Sequence, residues 1–287
     1  MANILEVKNL NKVYSDSDFQ LKDVTFSIPY GSIVGFIGEN GAGKTTTMGT
    51  ILGTLKKNSG YIEIFGDSMN DRNTDLKEGI GVVLDSMNFS ANLDVAKLSK
   101  VMSGIYQQWD HEKYDDYIDL FSLPKKLKIK EFSRGMSMKL SLAVALSHNA
   151  KLLILDEATA GLDPVAREDL LEVFLDFVKD KQRSILLSSH ITSDIEKVAD
   201  DLIFIKKGEI ILKVGKEELL DNYAILQCDL SKLKEIEKSS MIAYKNKGDD
   251  VDVLVANKND LPVGFHQYKK NFSIDEMTML LMRGEKQ

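Results

Sequence analysis

The sequence predicts an α/β fold in two unequal parts, a large core followed by a small α/β appendage. Three observations carry this expectation. The apolar run Ile33 to Ile37 leads into a cluster of glycines and then, from Lys44 to about Leu52, into helical spacing. Two further buried-type runs, Leu152 to Leu155 and Ser184 to Leu187, flank a helix predicted over Pro164 to Val178. A strand, a helix and a strand in that order form a right-handed parallel crossover. From about Gly215 onward, short helical and strand-like runs alternate in a different style. At 287 residues the chain is long for one domain and short for two full ones.

Taken in order, Ile4 to Lys8, Val24 to Ile28, Ile33 to Ile37 and Tyr61 to Phe65 are β-branched or aromatic runs of strand length. Tyr30-Gly31-Ser32 separates the second from the third as a turn. Between Asp94 and about Asn149 strands vanish. Val95, Leu98 and Met102 recur at helical spacing, as do Met136, Leu140, Val144 and Ser147. Asp163 is placed to cap the helix that Pro164 begins. In the appendage, Ser231 to Lys238 reads as helical, and Met241 to Tyr244 and Val251 to Ala256 as strands. A last helix starts at Ser273, which forms a capping box with Glu276. Phe272 and Met277 form a hydrophobic staple and Gly284 is the stop.

Hydrophobic residues make up 43% of the chain and charged residues 28%, enough to bury a proper core. The net charge of -7 argues against a sequence-independent nucleic-acid binder, which needs basic surface to displace counterions. The single cysteine, Cys228, cannot form an internal disulfide and reads as an inert thiol. The N-terminus has scattered charges and no apolar core of a signal peptide. The longest apolar runs are too short to span a bilayer. Membrane contact is therefore expected only through a partner.

Gly38-Glu39-Asn40-Gly41-Ala42-Gly43-Lys44-Thr45 fits the phosphate-binding pattern G-x-x-x-x-G-K-[ST] in full, and Thr46 continues it into the helix. The glycines let successive backbone N–H groups point inward, and the helix adds its positive dipole end. Lys44 reaches the β- and γ-phosphates, and the Thr45 hydroxyl is a hard ligand for Mg²⁺. Such a loop is shared by kinases, GTPases and ATPases. Leu152-Leu153-Ile154-Leu155-Asp156-Glu157 ends an apolar strand in two carboxylates. Asp156 is placed to hold Mg²⁺ through water, and Glu157 to polarise the water that attacks the γ-phosphate.

With these motifs in order over about the first 215 residues, the sequence resembles the ABC ATPase family. The resemblance implies a P-loop NTPase cassette over 1–214, with a RecA-like core, an antiparallel β subdomain and a helical subdomain at about 86–150. Residues 215–287 are then a C-terminal accessory domain. It implies that Tyr14 stacks on adenine. Ser133-Arg134-Gly135-Met136 stands at the signature, Ala160-Gly161-Leu162-Asp163 matches the D-loop, and His190 matches the switch histidine that contacts the γ-phosphate. In the family one subunit supplies the phosphate loop and the facing one the signature, so two MgATP hold a dimer closed and hydrolysis opens it.

Three departures from the family stand out. Phe132-Ser133-Arg134-Gly135-Met136 stands where Leu-Ser-Gly-Gly-Gln is usual, with Arg134 a phosphate-friendly cation. Asp85 replaces the Q-loop glutamine. As an oxygen ligand it is expected to serve Mg²⁺, and equal Mg²⁺ dependence in Asp85→Ala and wild type would overturn that. Ala158 replaces a frequent proline, to no functional effect.

Other features read as structural. Asn257-Lys258-Asn259-Asp260 spells a guanine-reading motif, but the chain contains no D-x-x-G, so a polar turn is expected. His148 reads as a dipole partner at the end of the signature helix. His111 and His266 lack ligand spacing. Trp109 and Met102 are expected to pack, and Lys125, Lys126, Lys128 and Lys130 to form a solvated edge.

A single cassette argues against translation-type members, and the absence of long heptads against chromosome-type members. A P-loop kinase would not need the signature, D-loop or His190. The expectation is therefore an ATPase subunit at the cytoplasmic face of the membrane. Its partners would be a separate permease and a second ATPase subunit, with ATP and Mg²⁺ bound. A soluble ABC ATPase acting on ribosome or DNA is the alternative. The short appendage and the lone cassette are similar to bacterial exporters with ABC-2-type permeases. The Asp85 departure and the ending Met277 to Gly284 are similar to Gram-positive exporters of amphipathic or antimicrobial peptides, including phenol-soluble modulins.

Overall fold

The computed structural model describes residues 2–69, 74–84, 89–237, 239–261, 265, 268–269 and 271–285. The chain runs β1 (Asn3–Val13), β2 (Gln20–Pro29), β3 (Ile33–Ile37), α1 (Lys44–Ile51), β4 (Ser59–Ile64), β5 (Asp67–Ser68), α2 (Thr74–Glu78) and β6 (Ile80–Val83). A helical stretch follows, α3 (Val95–Met102), α4 (His111–Leu120) and α5 (Arg134–Leu146). The chain then returns through β7 (Leu152–Asp156), α6 (Pro164–Phe177), β8 (Ser184–Ser188), α7 (Thr192–Val198), β9 (Asp201–Lys206) and β10 (Glu209–Gly215). The C-terminal region comprises α8 (Lys216–Asn222), β11 (Ala224–Asp229), β12 (Met241–Lys247), β13 (Asp250–Val255), β14 (Tyr268–Lys269) and α9 (Ile274–Arg283).

The strands form three sheets. The central one has the order β10-β9-β3-β8-β7-β6, parallel from β9 to β6, with β10 antiparallel at its edge. Every residue of β3, β7 and β8 is buried, as expected of parallel strands covered on both faces. The second sheet, β2-β1-β4-β5, is antiparallel and packs its apolar face against the first, with the Phe26 and Phe36 ring centroids 5.6 Å apart. The third sheet, β12-β13-β11-β14, is antiparallel and lies in the C-terminal region.

The helical stretch is organised by its caps. Asp94 accepts from the Lys97 N–H at 2.9 Å, and Asp110 from the Lys113 N–H at 3.0 Å. Val95, Leu98 and Met102 all face the core, and the buried Tyr114 donates its hydroxyl to the Val95 carbonyl at 3.2 Å.

Several local expectations change. Of the segment Ser231 to Lys238, the described residues, through Glu237, do not form an α-helix, and Lys238 lies outside the described residues. Leu230–Glu235 is a 3-10 segment that lays Leu233 and Ile236 on the third sheet. The strands β9, β10 and β11 and the helix α8 carry no motif and did not stand out in the sequence. The capping box of α9 is present, and Phe272 and Met277 are both buried. Gly284 ends the helix with an ordinary φ of -74, not a left-handed one. It is glycine because a Cβ there would lie 2.7 Å from the Tyr244 carbonyl, where Tyr244 and Glu285 pair as an isolated bridge. His148 does not cap α5, whose C-cap is Ser147. It is buried instead, stacked on Tyr106 at 3.9 Å, with Nδ1 3.1 Å from the Glu78 carbonyl. Burial pulls its pKa below the ordinary imidazole value.

Candidate functional site

The phosphate loop sits where β3 leaves the central sheet. Gly43, just before α1, has φ 116, a conformation that L side chains rarely adopt. The loop is held from behind by the β9–β10 turn. The Gly208 N–H donates to the Ala42 carbonyl at 2.8 Å, and the Gly208 carbonyl accepts from the Lys22 N–H at 2.9 Å. A side chain at Gly208, where φ is 80, would collide with the Gln20 carbonyl.

Lys44 is buried, and its ammonium donates to the Gly38 carbonyl at 2.7 Å and the Glu39 carbonyl at 3.4 Å. It lies 3.7 Å from Glu157 Oε1. The Thr45 hydroxyl donates to Asp156 Oδ2 at 2.7 Å, and the Ser188 hydroxyl to Asp156 Oδ1 at 2.5 Å. Both carboxylate oxygens of this buried acid are therefore satisfied, as a buried charge requires. Thr45 and Asp156 offer hard oxygen donors at one point. They fit Mg²⁺, which keeps waters and substrate phosphates as its other ligands.

Glu157 has φ 55, an uncommon backbone for a non-glycine residue. Its N–H donates to the Ser188 carbonyl at 3.2 Å and to the Ser188 hydroxyl at 3.1 Å, which holds the turn. His190 Nδ1–H donates to Glu157 Oε2 at 2.5 Å, and the His190 backbone N–H lies 3.3 Å from the same oxygen. The imidazole itself is 57% exposed, so little but Glu157 and the backbone sets its position.

Lys44, Thr45, Asp156 and Glu157 line a cavity of about 480 Å³ with Phe19, Glu39 to Gly41, Gly43 and Thr46, whereas Ser188 and His190 stand behind Asp156 and Glu157 and do not line it. Phe19 is the aromatic on its wall. Tyr14, expected to stack on adenine, does not line it and stands 6.4 Å from Phe19, ring to ring, with the Lys12 ammonium over its face. Ser188 and Phe19 were not singled out in the sequence. Ser188 was deducible from register, because pairing Leu152 with Ser184 in parallel brings Asp156 opposite Ser188.

The signature lies elsewhere. Ser133 caps α5 by accepting from the Met136 N–H at 3.2 Å, and Ser133 and Arg134 are exposed. Gly135 faces the Gly161 carbonyl and Leu162 of the D-loop. Asp163 caps α6 through the Val165 and Ala166 N–H groups at 3.1 and 3.0 Å, and these bonds hold its carboxyl below the usual range. Asp85 lies outside the described residues, as does His266. Asn257 caps a 3-10 turn at Lys258–Asp260 rather than lining the cavity. Trp109 donates to the Ser99 hydroxyl at 3.2 Å, and His111 Nδ1 lies 2.9 Å from the same oxygen, so both have structural partners.

A parallel sheet with a glycine loop at the end of β3, and a carboxylate pair delivered by the strand two places away, defines a P-loop nucleotide triphosphatase. Comparison with known proteins narrows the class. The profile of the ABC transporter family matches residues 21–160. The bacitracin transport ATP-binding protein BcrA of Bacillus licheniformis is 33% identical over 76% of this chain and 72% of its own length. The lantibiotic transport ATP-binding protein SrtF of Streptococcus pyogenes is 35% identical over 78% of this chain and 99% of its own length. Among solved structures, an ATP-binding subunit of an ABC transporter superposes with a TM-score of 0.69 at 29% identity, covering 75% of this chain and 92% of that one. A dimeric ATP-binding cassette in a post-hydrolysis state, bound to ADP and Pi, shares the fold at a TM-score of 0.67 and 20% identity, over 74% of this chain and 98% of that one. The chain belongs to the ABC transporter family, as an ATP-binding and ATP-hydrolysing subunit.

Proposed function

We propose that this subunit closes as a dimer around two MgATP and drives a separate membrane permease that exports amphipathic or antimicrobial-type peptides. One observation carries the dimer. Ser133 and Arg134 are exposed, as are Gly161 and Asp163 of the D-loop, with the Arg134 side chain beside Gly161, and none of these residues lines the chain's own nucleotide cavity. The N-terminus of α5 thus lies outside the chain's own cavity, on a surface that can meet the γ-phosphate of a nucleotide held by a facing subunit. In this reading Lys44 and the loop N–H groups bind the phosphates in place of the Gly38 and Glu39 carbonyls. Thr45 and Asp156, with Asp85, hold Mg²⁺, which neutralises phosphate charge when bound. Glu157 orients the attacking water and His190 senses the γ-phosphate. Phe19, beside Tyr14, faces the adenine.

Among the described residues no helix is long and apolar enough to cross a membrane. The cassette, 1–214, then sits at the cytoplasmic face through its permease, with 215–287 as an accessory domain. The peptide cargo is supported by the two relatives named for bacitracin and lantibiotic transport.

The test is the Glu157→Gln chain with MgATP. It is expected to lose hydrolysis by roughly 10²- to 10⁴-fold and to elute as a dimer, while Ser133→Ala in the same background elutes as a monomer. A monomer in both cases overturns the composite site. For the cargo, cells carrying Glu157→Gln should become sensitive to an amphipathic antimicrobial peptide, and unchanged tolerance would remove the export reading.

A further inference from the structure

His190 is exposed, so its place depends on the backbone on either side. Upstream is the buried strand β8. Downstream, two residues away, α7 begins, and its N-cap Ile191 offers no side-chain cap. What holds α7 therefore holds His190.

Ile195 packs α7 on Gly35 of β3, Lys216 Nζ donates to the Glu196 carbonyl at 2.7 Å, and two further helices hold it from the sides. From one side comes α6, the helix that follows the D-loop. Asp194 on α7 is buried and lies 3.9 Å from the Arg167 guanidinium of α6, with its Oδ2 making no hydrogen bond. Arg167 Nη2 also reaches the Leu162 carbonyl in the D-loop, at 3.5 Å. From the other side comes α9, the last helix of the chain. The Thr192 hydroxyl, at the first position of α7, donates to Asp275 Oδ1 at 3.3 Å. Ile274, Met277, Leu280 and Leu281 of α9 are buried in the same apolar cluster as Ile195 and Val198 of α7. The far end of α9 is tied to the central sheet by Lys206 of β9, whose ammonium donates to the Leu281 carbonyl at 3.1 Å and the Gly284 carbonyl at 3.5 Å. A cation on the last carbonyls of a helix also meets its negative dipole end.

We propose that Asp275 is a positioning residue for the switch histidine: through Thr192 and α7, the C-terminal region sets where His190 stands and so sets the rate of hydrolysis. The inference rests on His190 acting at the γ-phosphate. It gives the C-terminal region a role that a bare cassette lacks. SrtF is matched over 99% of its length by 78% of this chain, so about a fifth of this chain has no counterpart there.

The experiment is steady-state ATP hydrolysis by the full chain carrying Asp275→Ala, Thr192→Val, both together, or Asp275→Asn. Asp275→Ala is expected to lower kcat roughly three- to tenfold, the worth of one hydrogen bond, with KM for ATP unchanged because the phosphate loop is untouched. Thr192→Val should match it, and the double variant should be no worse than either, since both remove the same bond. Asp275→Asn keeps the acceptor oxygen and should restore most of the rate. Thermal unfolding of each variant fixes a temperature at which all are folded. Wild-type kcat in Asp275→Ala at that temperature overturns the proposal, as do additive losses or a failure of Asp275→Asn to recover the rate. The reading beneath it is tested separately by His190→Ala: a wild-type rate there would remove the role of His190 itself.

Discussion

The cassette and the C-terminal region differ in how their sequence encodes them. In the first, chemistry fixes the residue at each key position. Gly43 needs φ 116, Lys44 needs a loop of carbonyls, and Asp156 needs two hydroxyl donors. In the second, the sheet β12-β13-β11-β14 needs only apolar residues facing two ways, toward α9 on one side and toward Ile236 and Leu233 on the other. A chemical requirement leaves a motif that can be read by eye, whereas a packing requirement is met by many sequences.

The comparison is sharpened most by Leu254→Ala. Leu254 is fully buried and shares one apolar cluster with Met277 of α9 and Phe204 of β9. A loss of about 2–5 kcal/mol is expected, with calorimetry showing one cooperative transition for the whole chain. A separate low-temperature transition for the C-terminal region would show that the shared cluster does not bind the two regions together.

Ser188→Ala probes the other kind of requirement. It strips one donor from the buried Asp156 carboxylate and one acceptor from the Glu157 N–H. A cost of about 1–3 kcal/mol is expected in chemical denaturation. A stability within error of wild type would mean that the turn at Glu157 holds itself. Nucleotide affinity separates the two aromatics. Phe19→Ala should weaken ATP binding by about 1–3 kcal/mol, and Tyr14→Ala by less, because only Phe19 lines the cavity. Equal losses would return Tyr14 to the adenine.

The smallest effect concerns pH. Burial lowers the His148 pKa, so the neutral ring is the folded form. Its contribution is present above the unfolded value of about 6.5 and is lost as pH falls through the folded pKa. His148→Phe keeps a ring against Tyr106 and removes the titration, so its Tm should fall less than that of the wild type on acidification. Parallel Tm curves would place the acid sensitivity elsewhere.

Legibility followed the same divide. The strand–loop–helix at Ile33 to Ile51, the pair Asp156-Glu157, the cap at Asp163 and the capping box at Ser273 were all readable, because each is a local pattern with a local cause. Ser188 was hidden because its role comes from strand register. Phe19 was hidden because Tyr14 and Phe19 flank one turn, and only the fold decides which meets Gly43. His148 was misread because sequence placed it at a helix end without revealing that Tyr106 and Glu78 close over it. The 3-10 segment at Leu230–Glu235 had helical spacing but was recruited by the sheet beneath it.

The turn at Gly208 gives the phosphate loop a back wall, and that wall lies well beyond Glu157 in the chain. Residues 21–160, the stretch the family profile spans, hold the loop and the acidic pair but neither β8, which supplies Ser188, nor the β9–β10 hairpin. A fragment cut to that stretch would be complete as text and incomplete as an object. It would carry Lys44, Thr45 and Asp156 with no Gly208 N–H to draw the Ala42 carbonyl outward. The shortest piece of this protein able to grip a phosphate is therefore set by where its hairpin closes, about fifty residues after Glu157.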